Sequence, residues 1–239
     1  MDYEGALRLV LRAARGGDVE NLAAILHEHP NVGEWTNEKG ETALILASQD
    51  GKPECILALL AVSDPKVKSS WALGWVAGRG LSDCVRELIP LSDPKDSDAL
   101  RWAAAGDFED CVEMLIPVSD PREHRSVALR EALGYGSVRC ARLLLPFADM
   151  KIDGRPILKS AMICGDLGFI QLLLPLMSLA VLKEKDEGGR TVAEEARRSG
   201  KVHAATFVEQ WISAQEEQEA LSQALPVHDE KKVRKTRQL

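Results

Sequence analysis

Aromatic side chains are scarce in this chain. Five Trp, four Phe and two Tyr make up 5% of 239 residues, while alanine and leucine dominate. That balance disfavours a β architecture, which draws on aromatic and β-branched residues, and suits closely stacked helices. No uninterrupted apolar run approaches the roughly 18 residues of a membrane span, and none is expected. The opening Met1-Asp2-Tyr3-Glu4 has neither a basic nor an apolar leader region, so no secretory signal is expected. Cysteine never occurs as Cys-x-x-Cys, the close pairing a structural zinc site uses. The histidines His27, His29, His124, His203 and His228 are scattered, and His27 and His29 cannot share one helical face. Gly-x-Gly-x-x-Gly, P-loop and Gly-x-Ser-x-Gly patterns are all missing. The adjacent acids Glu109-Asp110 and Glu194-Glu195 point apart on a helix, so neither forms a catalytic dyad. Positive charge is also short. The net charge of −7 argues against non-specific nucleic-acid binding by the body of the chain. Ten acids and five bases within residues 1–60 predict an electronegative N-terminal end.

What the chain does have is a repeat. Cys55, Cys84, Cys111 and Cys140 are spaced by 29, 27 and 29 residues, and the next slot holds Phe169. Ser-Asp-Pro recurs at Ser63-Asp64-Pro65, Ser92-Asp93-Pro94 and Ser119-Asp120-Pro121 and decays to Ala148-Asp149-Met150. Ala-Leu recurs at Ala43-Leu44, Ala72-Leu73, Ala99-Leu100 and Ala128-Leu129, then as Ile157-Leu158. Turn glycines at Gly17, Gly51, Gly80, Gly106, Gly136, Gly165 and Gly200 lay out seven units, with Gly106 one place early. In each unit a small-residue helix precedes a second helix with apolar residues spaced three, then one, such as Val85, Leu88 and Ile89. Those residues share one face, which only the next helix pair can cover. Pro90, Pro117, Pro146 and Pro175 stop the second helices. The expected fold class is therefore all-α, a solenoid of about seven stacked helix pairs. In such a stack the four repeat cysteines are small buried core residues of a reducing compartment, and Cys164 is the thiol nearest the surface.

The chain resembles the ankyrin-repeat family over residues 4–212. Thr42-Ala43-Leu44-Ile45-Leu46-Ala47 stands for the opening Thr-Pro-Leu-His-x-Ala, and Glu38-Lys39-Gly40-Glu41 for the preceding β-finger. Asp186 to Val192 repeats this entry in the last unit. The family's His is lost from every unit, its slot holding Ile45, Gly74, Arg101, Arg130 and Lys159. Central units of about 29 residues, against about 33 in the family, imply shortened fingers in units two to five and full ones at the ends. Residues 1–212 are read as the stack with its caps. Leu7, Val10 and Leu11 open it, and Phe207, Val208, Trp211 and Ile212 close it. Residues 213–225 extend the last helix, and 226–239 form a disordered basic tail.

The resemblance implies a non-catalytic protein-binding module, a scaffold, adaptor or inhibitor, holding a protein partner on its concave face. It implies a monomer with no cofactor, no metal and no small-molecule substrate. Trp75 and Trp102 occupy one slot in consecutive units, held elsewhere by Arg12, Leu46, Glu131, Ser160 and Glu195. A slot that accepts charge is partly exposed. The expected binding surface is thus Trp75, Arg79, Arg101, Trp102 and Arg130, with stacking of one Trp on the other as the competing reading. Trp71 and Tyr135 extend either arrangement. Two other functions stay open: a regulatory subunit of a separate enzyme, and an enzyme whose site is assembled across loops. A cytoplasmic location is expected. The tail bearing Lys231, Lys232, Arg234, Lys235 and Arg237 is read as a nuclear signal, an anionic-surface contact or a solubilising end.

Overall fold

The computed structural model describes residues 3–95 and 97–224; the basic tail lies outside them. Seven helix pairs follow one another: α1 (Tyr3–Gly16) with α2 (Val19–Glu28), α3 (Ala43–Asp50) with α4 (Pro53–Leu59), α5 (Val67–Ala77) with α6 (Ser82–Leu88), α7 (Ala99–Ala105) with α8 (Glu109–Leu115), α9 (Glu123–Tyr135) with α10 (Val138–Leu144), α11 (Gly154–Cys164) with α12 (Leu167–Leu173), and, after the short α13 (Leu179–Lys183), α14 (Val192–Arg198) with α15 (Val202–Ala224). No β-strand is formed among the described residues beyond one antiparallel bridge, Thr36 to Thr42. First helices pack in series, α1 on α3, α3 on α5, α5 on α7, α7 on α9, α9 on α11 and α11 on α14. Second helices form a parallel layer from α2 through α10, and α12 lies against α15.

Local chemistry sets the helix ends. Thr42 Oγ1 accepts from the Ile45 amide at 3.3 Å and caps α3, whose far end closes on Gly51 in the left-handed region. Thr191 and Glu194 form a reciprocal capping box on α14. Where Gly106 comes one place early, it keeps an ordinary φ of −82°, and Asp107 takes the left-handed turn at φ +60°. Asp tolerates that conformation better than most residues. Its carboxylate then accepts from the Arg139 guanidinium of the next unit at 3.1 Å.

The core is one continuous ladder. Cys55, Cys84, Cys111 and Cys140 are all buried, and Phe169 fills the same slot in the sixth unit, also fully buried. Leu59, Leu88, Leu115, Leu144 and Leu173 form a second ladder beside them. Hiding each such leucine contributes roughly 1.5–3 kcal/mol. At the first cap the packing departs from expectation. Val10 is buried, with Ala6, Ala13 and Ala14, but Leu7 and Leu11 are only half-buried. The alanines bring α1 close to α3 and leave the two leucines at the edge of the contact. At the last cap Val208 is buried, with Phe207, Trp211 and Ile212 half-buried against the core. The helix runs on unbroken to Ala224, and Lys183 pairs with Glu216 on that extension.

The fingers show what the spacing encodes. At each end the turn is full: the Asn37 amide donates to Glu41 O at 3.0 Å, and the Asp186 amide to Arg190 O at 2.8 Å. Between them the chain takes a shorter path. Seven positions separate Pro65 from Ala72 and Pro121 from Ala128, but only five separate Pro94 from Ala99. The longer links each hold a left-handed triplet, Lys68-Ser69-Ser70 and His124-Arg125-Ser126, with φ between 47° and 59°. The 27-residue unit omits it. Three L-residues in that region cost about 1–2 kcal/mol each. Buried polar bonds offset this: Ser70 Oγ accepts from the Asp93 amide at 2.8 Å, and Ser126 Oγ donates to Asp153 Oδ2 at 2.8 Å. Ser70, Ser97 and Ser126 all lie two places before the Ala-Leu pair and are all buried, a ladder that the sequence analysis missed.

A backbone prediction follows from the triplet. Ser69 is exposed and at φ +53°. Ser69→Gly is expected to hold or raise the urea midpoint, by up to about 1 kcal/mol in stability. Were Ser69 in an ordinary right-handed helix, the same change would cost about 0.5–1 kcal/mol.

Candidate protein-binding surface

The surface begins with two glycines. Gly74 lies inside α5, where glycine costs about 1 kcal/mol, and Gly78 caps the helix one turn further on. Their missing side chains make room for Trp102 from the next unit. A Cβ on Gly74 would come 3.3 Å from the indole ring, and one on Gly78 3.1 Å from Trp102 Cβ. Trp102 therefore lies on the glycine face, and Trp75 leans on it with ring centroids 4.9 Å apart and planes tilted by 58°. Gly74 occupies the slot where the family carries His. The indole fills that space, so the loss of His and the gain of Trp102 are one substitution in packing terms. A pair of glycines four residues apart, one unit before a Trp, was the available signal.

Stacking and exposure coexist here. Both indoles are half-buried, and they form the floor of an open groove of about 550 Å³ across α5, α7 and α9. Arg79, Arg101, Glu131 and Tyr135 complete its rim. Tyr135 is 73% exposed, a large apolar ring with little packing of its own. Arg101 is held by Asp98 at 3.1 Å. Arg79 and Glu131 enter no ion pair among the described residues. Of the five expected surface residues, four line this groove. Arg130 does not: its Nη1 turns toward His124 O, at 3.5 Å. Trp71 also lies elsewhere, exposed, with the Lys68 ammonium 4.5 Å above its ring.

A second groove, of about 1110 Å³, lies between α1, α3 and the first finger. Half-buried Leu7 and Leu11 line it with Leu46, and Arg8, Arg12, Arg15 and Lys39 stand around them. Glu4, Glu38 and Glu41 also line this groove, so four bases face three acids there, against five and ten in residues 1–60 as a whole. Arg12, Leu46, Trp75, Trp102 and Glu131, all of one repeat slot, line one groove or the other.

None of the five thiols lines either groove. Burial pushes the Cys111 thiol up to about 11, with the Asp110 carboxylate adding to it. Burial likewise pushes Cys140 up to about 12, aided by the Asp107 carboxylate. Cys55 and Cys84 are raised for the same reason, while Cys164 is half-buried. A neutral buried thiol is a poor nucleophile. Ellman's reagent is expected to modify one thiol, Cys164, in the native chain and the remaining four only on unfolding. The raised values also set a pH slope. Thiols near 8.5 when unfolded and higher when folded contribute stability below about pH 8.5, and it is lost as pH climbs toward 11–12. Between pH 8 and about 10.5 the urea midpoint is expected to fall, and to fall less in Cys140→Ala.

Among the described residues no group of three or more His, Cys, Asp or Glu is placed to hold a metal ion, and no helix is long and apolar enough to cross a membrane. Comparison with known proteins adds the fold. No family model matches the chain, and no curated protein matches it. Among solved structures it is similar to the crystal structure of the human ASB11 ankyrin repeat domain, with a TM-score of 0.70 and 20% sequence identity over 83% of this chain and 96% of that one. The serial packing of first helices, the full-length finger turns at both ends and this likeness together show that the chain has the ankyrin-repeat fold.

Proposed function

We propose that the chain is a non-catalytic protein-binding module that holds a partner on its first-helix face, over Trp75, Arg79, Arg101 and Trp102. The observation that carries this is the preformed groove with an aromatic floor and the exposed Tyr135 at its rim. Trp, Tyr and Arg are the residue types that dominate binding energy at protein interfaces. Here Trp102 is already held against Gly74 and Gly78, and Trp75 against Trp102, so little side-chain entropy remains to be lost on association. Among the described residues no ring stacks on Tyr135, and its exposed side chain offers apolar surface for another chain to cover.

The test is comparative affinity capture with wild type and the double variant Tyr135→Ala/Arg79→Glu. Both sites are exposed, so stability is expected to stay within about 0.5 kcal/mol of wild type. Proteins retained by wild type are expected to be lost from the variant. Identical captured sets from two equally stable proteins would sink the assignment of the binding face.

A further inference from the structure

We infer that the groove over the Trp75–Trp102 pair takes a proline-rich segment of a partner protein, held in the polyproline II conformation. The inference rests on the proposed protein-binding function and names the chemistry of the partner. Three observations carry it. First, the charges around the groove cancel. Arg101 is held by Asp98, and the Arg79 side chain lies back over Gly51 of the preceding unit, its Nε 3.7 Å from where a Cβ would stand there. Two arginines are thus set against Asp98 and Glu131, which favours an uncharged occupant. Second, the aromatic floor offers donors. Neither indole nitrogen has a hydrogen-bond partner among the described residues, and neither is closed off from solvent. The Tyr135 hydroxyl is likewise unpartnered among them. An indole N–H only donates, so its complement is a chain rich in free carbonyls and poor in N–H groups. Polyproline II has no internal hydrogen bonds, and each proline brings a carbonyl without an N–H. Third, the stack spaces the rings. Trp75 on α5 and Trp102 on α7 lean together with centroids 4.9 Å apart, and Tyr135 stands one unit further on, on α9. Packed helices lie roughly 8–10 Å apart, and one three-residue turn of polyproline II rises about 9 Å. One turn therefore comes over the Trp pair and the next over Tyr135.

Other segments fit less well. A charged one gains nothing from a rim whose own charges are balanced. An apolar helix has its carbonyls engaged and would cover the indole N–H groups without an acceptor, a penalty rather than a gain. An extended strand brings as many N–H groups as carbonyls, and the groove has only Glu131 to receive them. Proline also presents flat apolar rings to the indoles, and its chain is stiff before it binds.

The experiment uses the full chain and short labelled peptides: one of repeated Leu-Pro-Pro between Gly and Ser flanks, one with Ala for every Pro, and two with Lys or Asp for every Leu. Binding is followed by anisotropy of the label and, independently, by the change in intrinsic tryptophan emission. The Leu-Pro-Pro peptide is expected to bind, with an affinity that moves less than about two-fold between low and high salt. Ala for Pro is expected to weaken it by at least about ten-fold. Trp75→Phe and Tyr135→Phe each keep a ring and remove a donor, and each is expected to cost about five-fold, the worth of one hydrogen bond. Tyr135 is exposed, so its variant tests the contact even if a change at the packed indole lowers stability, which the urea midpoint reports. No binding of the Leu-Pro-Pro peptide, equal or tighter binding of the Ala-for-Pro or charged peptides, or an affinity unmoved by both Phe variants overturns the inference. The binding face itself survives that outcome if the capture experiment above still separates wild type from Tyr135→Ala/Arg79→Glu, and falls with it if the captured sets are identical.

Discussion

Replacing Gly33 with alanine is expected to remove about 3 kcal/mol of stability, at the upper end of the cost of overpacking a core. Gly33 is buried where the 3₁₀ turn Pro30–Glu34 meets the chain leaving α4. A Cβ there would come 2.3 Å from the carbonyl oxygen of Val62 and 2.6 Å from its Cγ2. The obstacle is backbone, which cannot swing aside as a side-chain tip can. The same contact carries a bond, since Ser63 Oγ donates to Gly33 O at 2.8 Å. Pushing the two segments apart would therefore also cost that bond. Gly134→Ala is the control. Gly134 lies in α9 with nothing within 4 Å of its would-be Cβ, so alanine there should stabilise by up to about 1 kcal/mol. Urea unfolding of the two variants decides it. A midpoint for Gly33→Ala equal to wild type would show that the units do not approach as closely as described.

The second large effect is at Gly80. Its φ of +70° lies in the left-handed region, and a Cβ would come 2.3 Å from Phe108 Cδ1. The same ring blocks Gly106 from the other side, 2.4 Å from its Cε2. Phe108 is thus clasped between the turn glycines of two successive units. Gly80→Ala combines an unfavourable backbone with a ring clash and is expected to cost about 3 kcal/mol. Gly136→Ala shares the backbone problem, with φ +80° and nothing within 4 Å, and should cost about 1 kcal/mol. The clash is separable from the backbone by a double-mutant cycle. With Phe108→Ala in place, the added cost of Gly80→Ala should shrink to that of Gly136→Ala. Additive effects would mean that Phe108 does not lie over Gly80.

These two glycines also mark how legibility in the sequence divides. Gly80 was visible as a turn position because the pattern repeats it, yet its contact with Phe108 was not. Gly33 repeats nowhere and carried no sign in the sequence. The candidate surface divides likewise. Recurrence of one slot pointed to Trp75 and Trp102, and proximity in sequence drew in Arg79 and Arg101. Arg130 had the same credentials but turns to the His124 carbonyl, because the left-handed triplet at 124–126 brings that carbonyl within reach. Nothing in residue types or spacing announces a left-handed turn built from His, Arg and Ser.

Sequence alone determined the repeat: helix pairs, their number, the buried thiol ladder, and where full-length fingers stand. It did so because each unit must present small and apolar residues at the same helical positions for its neighbour to cover, so a periodic fold writes itself as a periodic chain. The tertiary structure decided which side chains share a space. Trp102 over Gly74 and Gly78, Phe108 against Gly80, and Asp153 under Ser126 each join residues 24 to 28 positions apart. Such pairs depend on the angle and depth at which one unit settles on the next, and that is a property of packed surfaces rather than of any single stretch of chain.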